Sequence, residues 1–195
     1  MPKAPSTYSL IPKELDTTQA ILMCIGKLIA VWANTEACFY AVYFCLSGHP
    51  SGNADIAWAS ILSTRRRMDL VYNLLRYENE LDAEIKTELF ECLERFRAVT
   101  EFRNQLCHSM YTTEPPENEK LVSIDQWSLA PIKNITDPIF KEKSKLANAA
   151  TINEICCIAD RCMEINERVT KSVYKIRDQL KLQHVVLPPL QLGPQ

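Results

Sequence analysis

Apolar residues recur at helical spacing in four long stretches of this chain. Over residues 16–46 the seam is Ile21, Ile25, Leu28, Trp32, Thr35, Phe39, Val42 and Leu46, in steps of four and three. That is the stripe of a bundle helix, with Asp16 or Thr17 as N-cap and Ser47-Gly48-His49-Pro50-Ser51-Gly52 as the stop. A second helix is expected over 53–77, with Ile56, Ala59, Leu62, Met68, Leu70, Val71, Leu74 and Leu75 as its apolar residues. A third, over 82–111, has the seam Leu89, Cys92, Phe96, Val99, Arg103, Leu106, Met110. The last, over 151–183, has the seam Ile152, Ile155, Ala159, Cys162, Asn166, Val169, Val173, Ile176, Leu180. Thr151 to Glu154 matches a capping box at its start.

The stretch between the third and last helices behaves differently. Pro115-Pro116 breaks the helical pattern, and Val122, Ile124, Trp127, Leu129 and Ile132 follow no helical period. A β-hairpin or extended excursion is expected there, with an irregular segment or short helix over 137–150. Residues 184–195 read as an extended or disordered tail. The pattern therefore predicts an all-α fold: an antiparallel four-helix bundle with a hairpin-like insertion between the third and last core helices. One domain spans 1–195, its core at about 16–111 and 151–183 and its excursion at 112–150.

Charge narrows the possible partners. The 195 residues carry 22 Lys and Arg against 24 Asp and Glu, a formal net charge of −2. No strongly basic field exists to drive non-specific nucleic-acid binding, so any RNA contact must be local. Met1-Pro-Lys-Ala-Pro-Ser-Thr lacks the apolar run of a signal peptide. The hydrophobic stretch 20–46 is interrupted by Lys27, Asn34 and Glu36, which points to a buried helix rather than a membrane span. A cytoplasmic protein without membrane contact is the expectation. The eight cysteines form no C-x-x-C pair and mostly take apolar helical positions, as core thiols of a reducing compartment do. No metal and no cofactor is expected.

Arg103 is the strongest local anomaly, because a charge stands where the seam asks for an apolar side chain. It must be paired or face a cleft. Glu36, the only acid between Thr17 and Gly48, is the candidate partner; the alternative is that Glu36 points to solvent. The surrounding segment reads Phe102-Arg103-Asn104-Gln105-Leu106-Cys107-His108-Ser109-Met110-Tyr111. Asn104 and His108 lie about 40° apart around a helix, and Arg103 and His108 about 140° apart, flanking that face. This Arg-Asn-x-x-x-His segment, on a late core helix of an α-helical bundle, resembles the signature of the HEPN domain superfamily.

The resemblance implies a metal-independent endoribonuclease, of a kind found in toxin and defence roles. Arg103, Asn104 and His108 would be its catalytic residues. An imidazole suits proton abstraction from a ribose 2′-OH, since it ordinarily titrates near neutrality. A guanidinium can stabilise the extra negative charge at phosphorus, and Asn104 would orient the phosphate or His108. Single-stranded RNA rather than DNA is the expected substrate. A two-fold homodimer would bring two such helices around one cleft, and a protein antagonist would accompany a toxin. One departure concerns Tyr111: some HEPN members have an aromatic after one intervening residue, whereas here two intervene, which puts its supporting role in doubt.

Other readings stand beside this one. His108 can cap or satisfy a polar network near a helix end, and Arg103 can be a structural pin. A non-catalytic helical module that binds a partner protein or small ligand is then the alternative function. Trp32 reads as core or as a base-stacking platform, and Trp127 as hairpin packing or nucleobase stacking. Arg65-Arg66-Arg67 reads as a solvated face or an RNA contact. His49 and His184 carry no assigned role. No G-x-x-x-x-G-K, G-x-S-x-G or H-E-x-x-H motif points to another common enzyme class.

Overall fold

A computed structural model describes residues 11–48, 51–108, 110–113, 121–125, 144–146 and 149–182. The architecture is helical: α1 (Thr17–Ser47), α2 (Ser51–Ser60), α3 (Thr64–Tyr77), α4 (Ala83–Cys107) and α5 (Ala149–Gln179). Between α4 and α5 lie three short strands, β1 (Met110–Thr113), β2 (Leu121–Asp125) and β3 (Ser144–Leu146). The excursion predicted as hairpin-like thus contains a three-stranded antiparallel sheet in the order β1-β2-β3. The tail at 184–195, Trp127, His49 and His184 lie outside the described residues.

The chain divides into two compact units, Met1–Ala30 with Val99–Arg161 and Val31–Ala98 with Cys162–Gln195. Helices α1 and α5 each have 31 residues, about 46 Å of helix, and α1, α4 and α5 each contribute residues to both units. The described core of the first unit holds Ile21, Cys24, Leu28, Val99, Leu106 and Ile155. A reciprocal cap starts α1: the Gln19 amide donates to the Asp16 carboxylate at 2.8 Å, and the Asp16 amide to Gln19 Oε1 at 3.2 Å.

In the second unit the expected helix over 53–77 is two helices. Residues 61–63 break it, and Ser63 is extended at φ −106°, ψ 124°. Gly48, at φ 62°, turns the chain out of α1 in a conformation that favours glycine. The short α2 then folds back, so that Trp58 meets Tyr40 at 5.5 Å and Tyr43 at 5.3 Å. Phe96 anchors the interior, 6.0 Å from Trp32 and 5.3 Å from Phe39. Trp32 is therefore a core residue. Helices α4 and α5 run antiparallel within this unit: Arg95 meets Glu164, Arg168 meets Glu88 and Glu91, and Lys175 meets Glu84. Pairing of Arg97 with Asp69 and Tyr72 with Phe90 sets α3 antiparallel to α4. The α1–α5 contacts Thr35–Cys162 and Cys38–Asn166 advance along both helices together, so these two run in the same direction. The mixed directions follow from the break: α2 is a return segment that lets α3 set off again parallel to α1.

Helix α5 begins two residues before the predicted capping box, so Thr151 is a buried residue of its first turn rather than its N-cap.

Candidate functional site

The motif sits on the last turn of α4 in the first unit. The helix stops at Cys107, short of the 111 expected, because Met110-Tyr111-Thr112-Thr113 enters a ladder and forms β1. Three of those four residues are β-branched or aromatic, which favours the extended backbone. His108 is the first residue beyond the helix, and its amide donates to the Asn104 carbonyl at 3.0 Å. That bond holds His108 one turn from Asn104, and both side chains are exposed.

Arg103 is half-buried. Its Nη1 donates to Asn104 Oδ1 at 2.7 Å, so the amide oxygen steers the guanidinium. The sequence foresaw Asn104 orienting a phosphate or His108; the geometry assigns its oxygen to Arg103. Adjacent helical residues diverge by about 100°, and only the length of an arginine lets its head return to its neighbour's amide. Leu106, buried, fixes the inner face of this turn. Together these residues place a cation, its orienting amide and an exposed imidazole along one turn of chain.

The proposed partnership of Glu36 with Arg103 is corrected. Glu36 Oε2 lies 3.4 Å from Arg67 Nη1, with both side chains largely shielded. The Arg67 guanidinium also sits 5.4 Å from the centre of the Trp58 ring, and its Nε donates to the Ile61 carbonyl at 2.8 Å. The break at 61–63 puts Arg67 here, so of the arginine run only Arg65 and Arg66 are exposed. Tyr111 lies on β1 opposite Ile124, and its side chain is outside the described residues.

Sequence reasoning missed a second feature. A cleft of about 260 Å³ in the second unit is lined by Ala33, Glu36, Ala37, Tyr40, Asp55 and Trp58. The Tyr40 hydroxyl donates to the Asp55 carboxylate. Partial burial, and then that carboxylate, push the Tyr40 phenol up to about 12. The spacing of Tyr40 and Asp55 carries no signal until the Gly48 turn folds α2 back.

Among the described residues, no three His, Cys, Asp or Glu side chains converge as a metal site. By length and composition α1 is apolar enough to cross a membrane, with a mean hydropathy of 1.4 over its best window. Its buried residues, Phe39, Val42 and Trp32 among them, are also those of a core helix. No family model, curated protein or solved structure matches the chain.

Proposed function

We propose that this protein is a HEPN-like, metal-independent endoribonuclease acting on single-stranded RNA. The observation that carries the reading is the hydrogen bond from Arg103 to Asn104, set one turn from an exposed His108. In this mechanism His108 takes the proton from a ribose 2′-OH as the oxygen attacks phosphorus. The P–O5′ bond breaks, a proton from solvent reaches O5′, and the RNA ends in a 2′,3′-cyclic phosphate. Arg103, steered by Asn104, binds the non-bridging oxygens and stabilises the charge that builds on them. The reading takes the long helices as one HEPN-like helical bundle with α2 as a return segment. It also takes a two-fold homodimer in the cytoplasm as the active unit. A toxin or defence role, with a protein antagonist, is part of the same proposal.

The test is purified protein on single-stranded RNA in EDTA. Cleavage to 2′,3′-cyclic ends is expected, as is resistance of an RNA with 2′-deoxy sugars at the cut sites. Loss of cleavage on chelation would refute the mechanism. The second reading, a non-catalytic interaction module, is favoured by the net charge of −2 and by the Glu36–Asp55 cleft. It gains if varied RNAs all remain intact.

A further inference from the structure

Two buried cysteines of the first unit, far apart in sequence, face each other. Cys24 on α1 and Cys156 on α5 are both 0% exposed, and their sulfurs lie 3.3 Å apart. Among the described residues this is the one thiol–thiol contact. The other buried thiols with polar neighbours bond to hydroxyls and an amide: Cys38 to Thr170 and Asn166, Cys162 to Thr35. A disulfide has sulfurs about 2.05 Å apart, so the two sulfurs must come little more than 1 Å closer for the bond to form.

We propose that Cys24 and Cys156 form a reversible disulfide, a redox modification site that staples α1 to α5 in the unit carrying the Arg-Asn-x-x-x-His segment. The oxidant is hydrogen peroxide. One sulfur attacks a peroxide oxygen, the O–O bond breaks, and a sulfenic acid and water result. The second sulfur then attacks the sulfenic sulfur, displacing a second water. Two thiols lose two electrons and two protons, and one hydrogen peroxide becomes two waters.

Burial governs the rate. Desolvation, followed by the hydrogen bond with Cys24, pushes the Cys156 thiol up to about 12, so little thiolate exists at neutral pH. Oxidation therefore proceeds through local opening of the unit, and proximity selects the partner on reclosing. Exposed Cys107 and Cys157 meet the oxidant first. The pair stays reduced in a reducing compartment and closes under sustained oxidation.

The experiment uses the full chain and its Cys107→Ser/Cys157→Ser variant, which removes the two exposed thiols. Each is treated with hydrogen peroxide, quenched, alkylated in denaturant, digested and mapped by mass spectrometry. The expected result is a Cys24–Cys156 linked peptide as the main disulfide in both proteins, lost on reduction with dithiothreitol. A faster band on a non-reducing gel should accompany it, because the link closes a loop of more than half the chain. The oxidised protein should also melt several degrees above the reduced one. Recovery of Cys24 and Cys156 as alkylated thiols after hours of oxidation overturns the proposal, as does a dominant link between other cysteines. The wild-type map decides the matter even if Cys156→Ala, expected to abolish the link, fails to fold.

Discussion

The two halves of α4 use arginine in different ways. In the half that belongs to the second unit, Arg95 binds Glu164 through two hydrogen bonds of 2.8 Å. Facing the same half from α5, Arg168 binds both Glu88 and Glu91 at 2.5–2.9 Å. These bonds cancel charge as well as fix geometry. They hold Glu88, Glu91 and Glu164 below the usual carboxylate range. In the half that belongs to the first unit, Arg103 Nη1 donates to the side-chain oxygen of Asn104, a neutral group on the neighbouring residue, at 2.7 Å. The carboxylate ladder links two helices, whereas the Arg103–Asn104 bond is made between neighbours on one helix, with the exposed His108 a turn away.

The strongest way to break this contrast is at the motif. His108→Ala should lower RNA cleavage about 10²–10⁴-fold, the usual contribution of a general base, with a melting temperature unchanged within error. Arg103→Met should lower kcat with a similarly small thermal effect, and single-turnover kinetics would read it. If Arg103→Met melts the protein while His108→Ala leaves cleavage intact, the motif end is as structural as the ladder.

Core truncation should show the opposite profile. Phe96→Ala removes a buried ring that stacks on Trp32 and meets Phe39 at a tilt, and is expected to cost about 3–5 kcal/mol. Chemical denaturation measures it, and a cost under about 1 kcal/mol would show that Phe96 is not a packing anchor.

A smaller effect tests the corrected pairing of Glu36. Glu36→Gln and Arg67→Met should each destabilise by about 1–3 kcal/mol, with the double variant less costly than the sum. Coupling of Glu36 to Arg103 instead would restore the partnership expected from the sequence.

The mildest effect concerns the ladder and acid. Arg168→Met is expected to cost about 1 kcal/mol at neutral pH, or about 2–4 °C in Tm for a chain of this size. Folded Glu88 and Glu164 titrate below their ordinary value of 4.5, so the unfolded chain binds more protons as pH falls past that value. The stability they add is thus present above pH 4.5 and lost as pH drops through their lower folded values. Because Arg168 holds Glu88 down whereas Arg95 chiefly holds Glu164, melting curves from pH 6 to pH 3 should fall less steeply for Arg168→Met than for wild type; equal slopes would remove the Arg168–Glu88 pair from the acid response.

Several elements could be read directly from the chain. The seams of α1, α4 and α5 survive nearly intact: Leu28, Phe39, Phe96, Ala159 and Val173 are all fully buried as their periodicity requires. Non-helical backbone after the motif followed from two prolines and an aperiodic apolar run. Arg103 stood out because a charge interrupts a seam, and the residue is half-buried, as that seam position requires.

Local pattern determined which residues form helices, which face each helix buries and where an arginine, an amide and an imidazole share one turn. These depend on a period of 3.6 residues and on side-chain chemistry, both contained in short windows of sequence. Partner choice depends on chain direction, and that was settled elsewhere. The break at 61–63 reverses α2 against α3 and delivers Arg67, rather than Arg103, to Glu36. The antiparallel register of α4 and α5 aligns Arg168 with Glu88 and Glu91 across 80 and 77 residues of sequence. The parallel course of α1 and α5 brings Cys24 against Cys156 across 132. No local propensity encodes such pairings, because they arise only when distant segments pack.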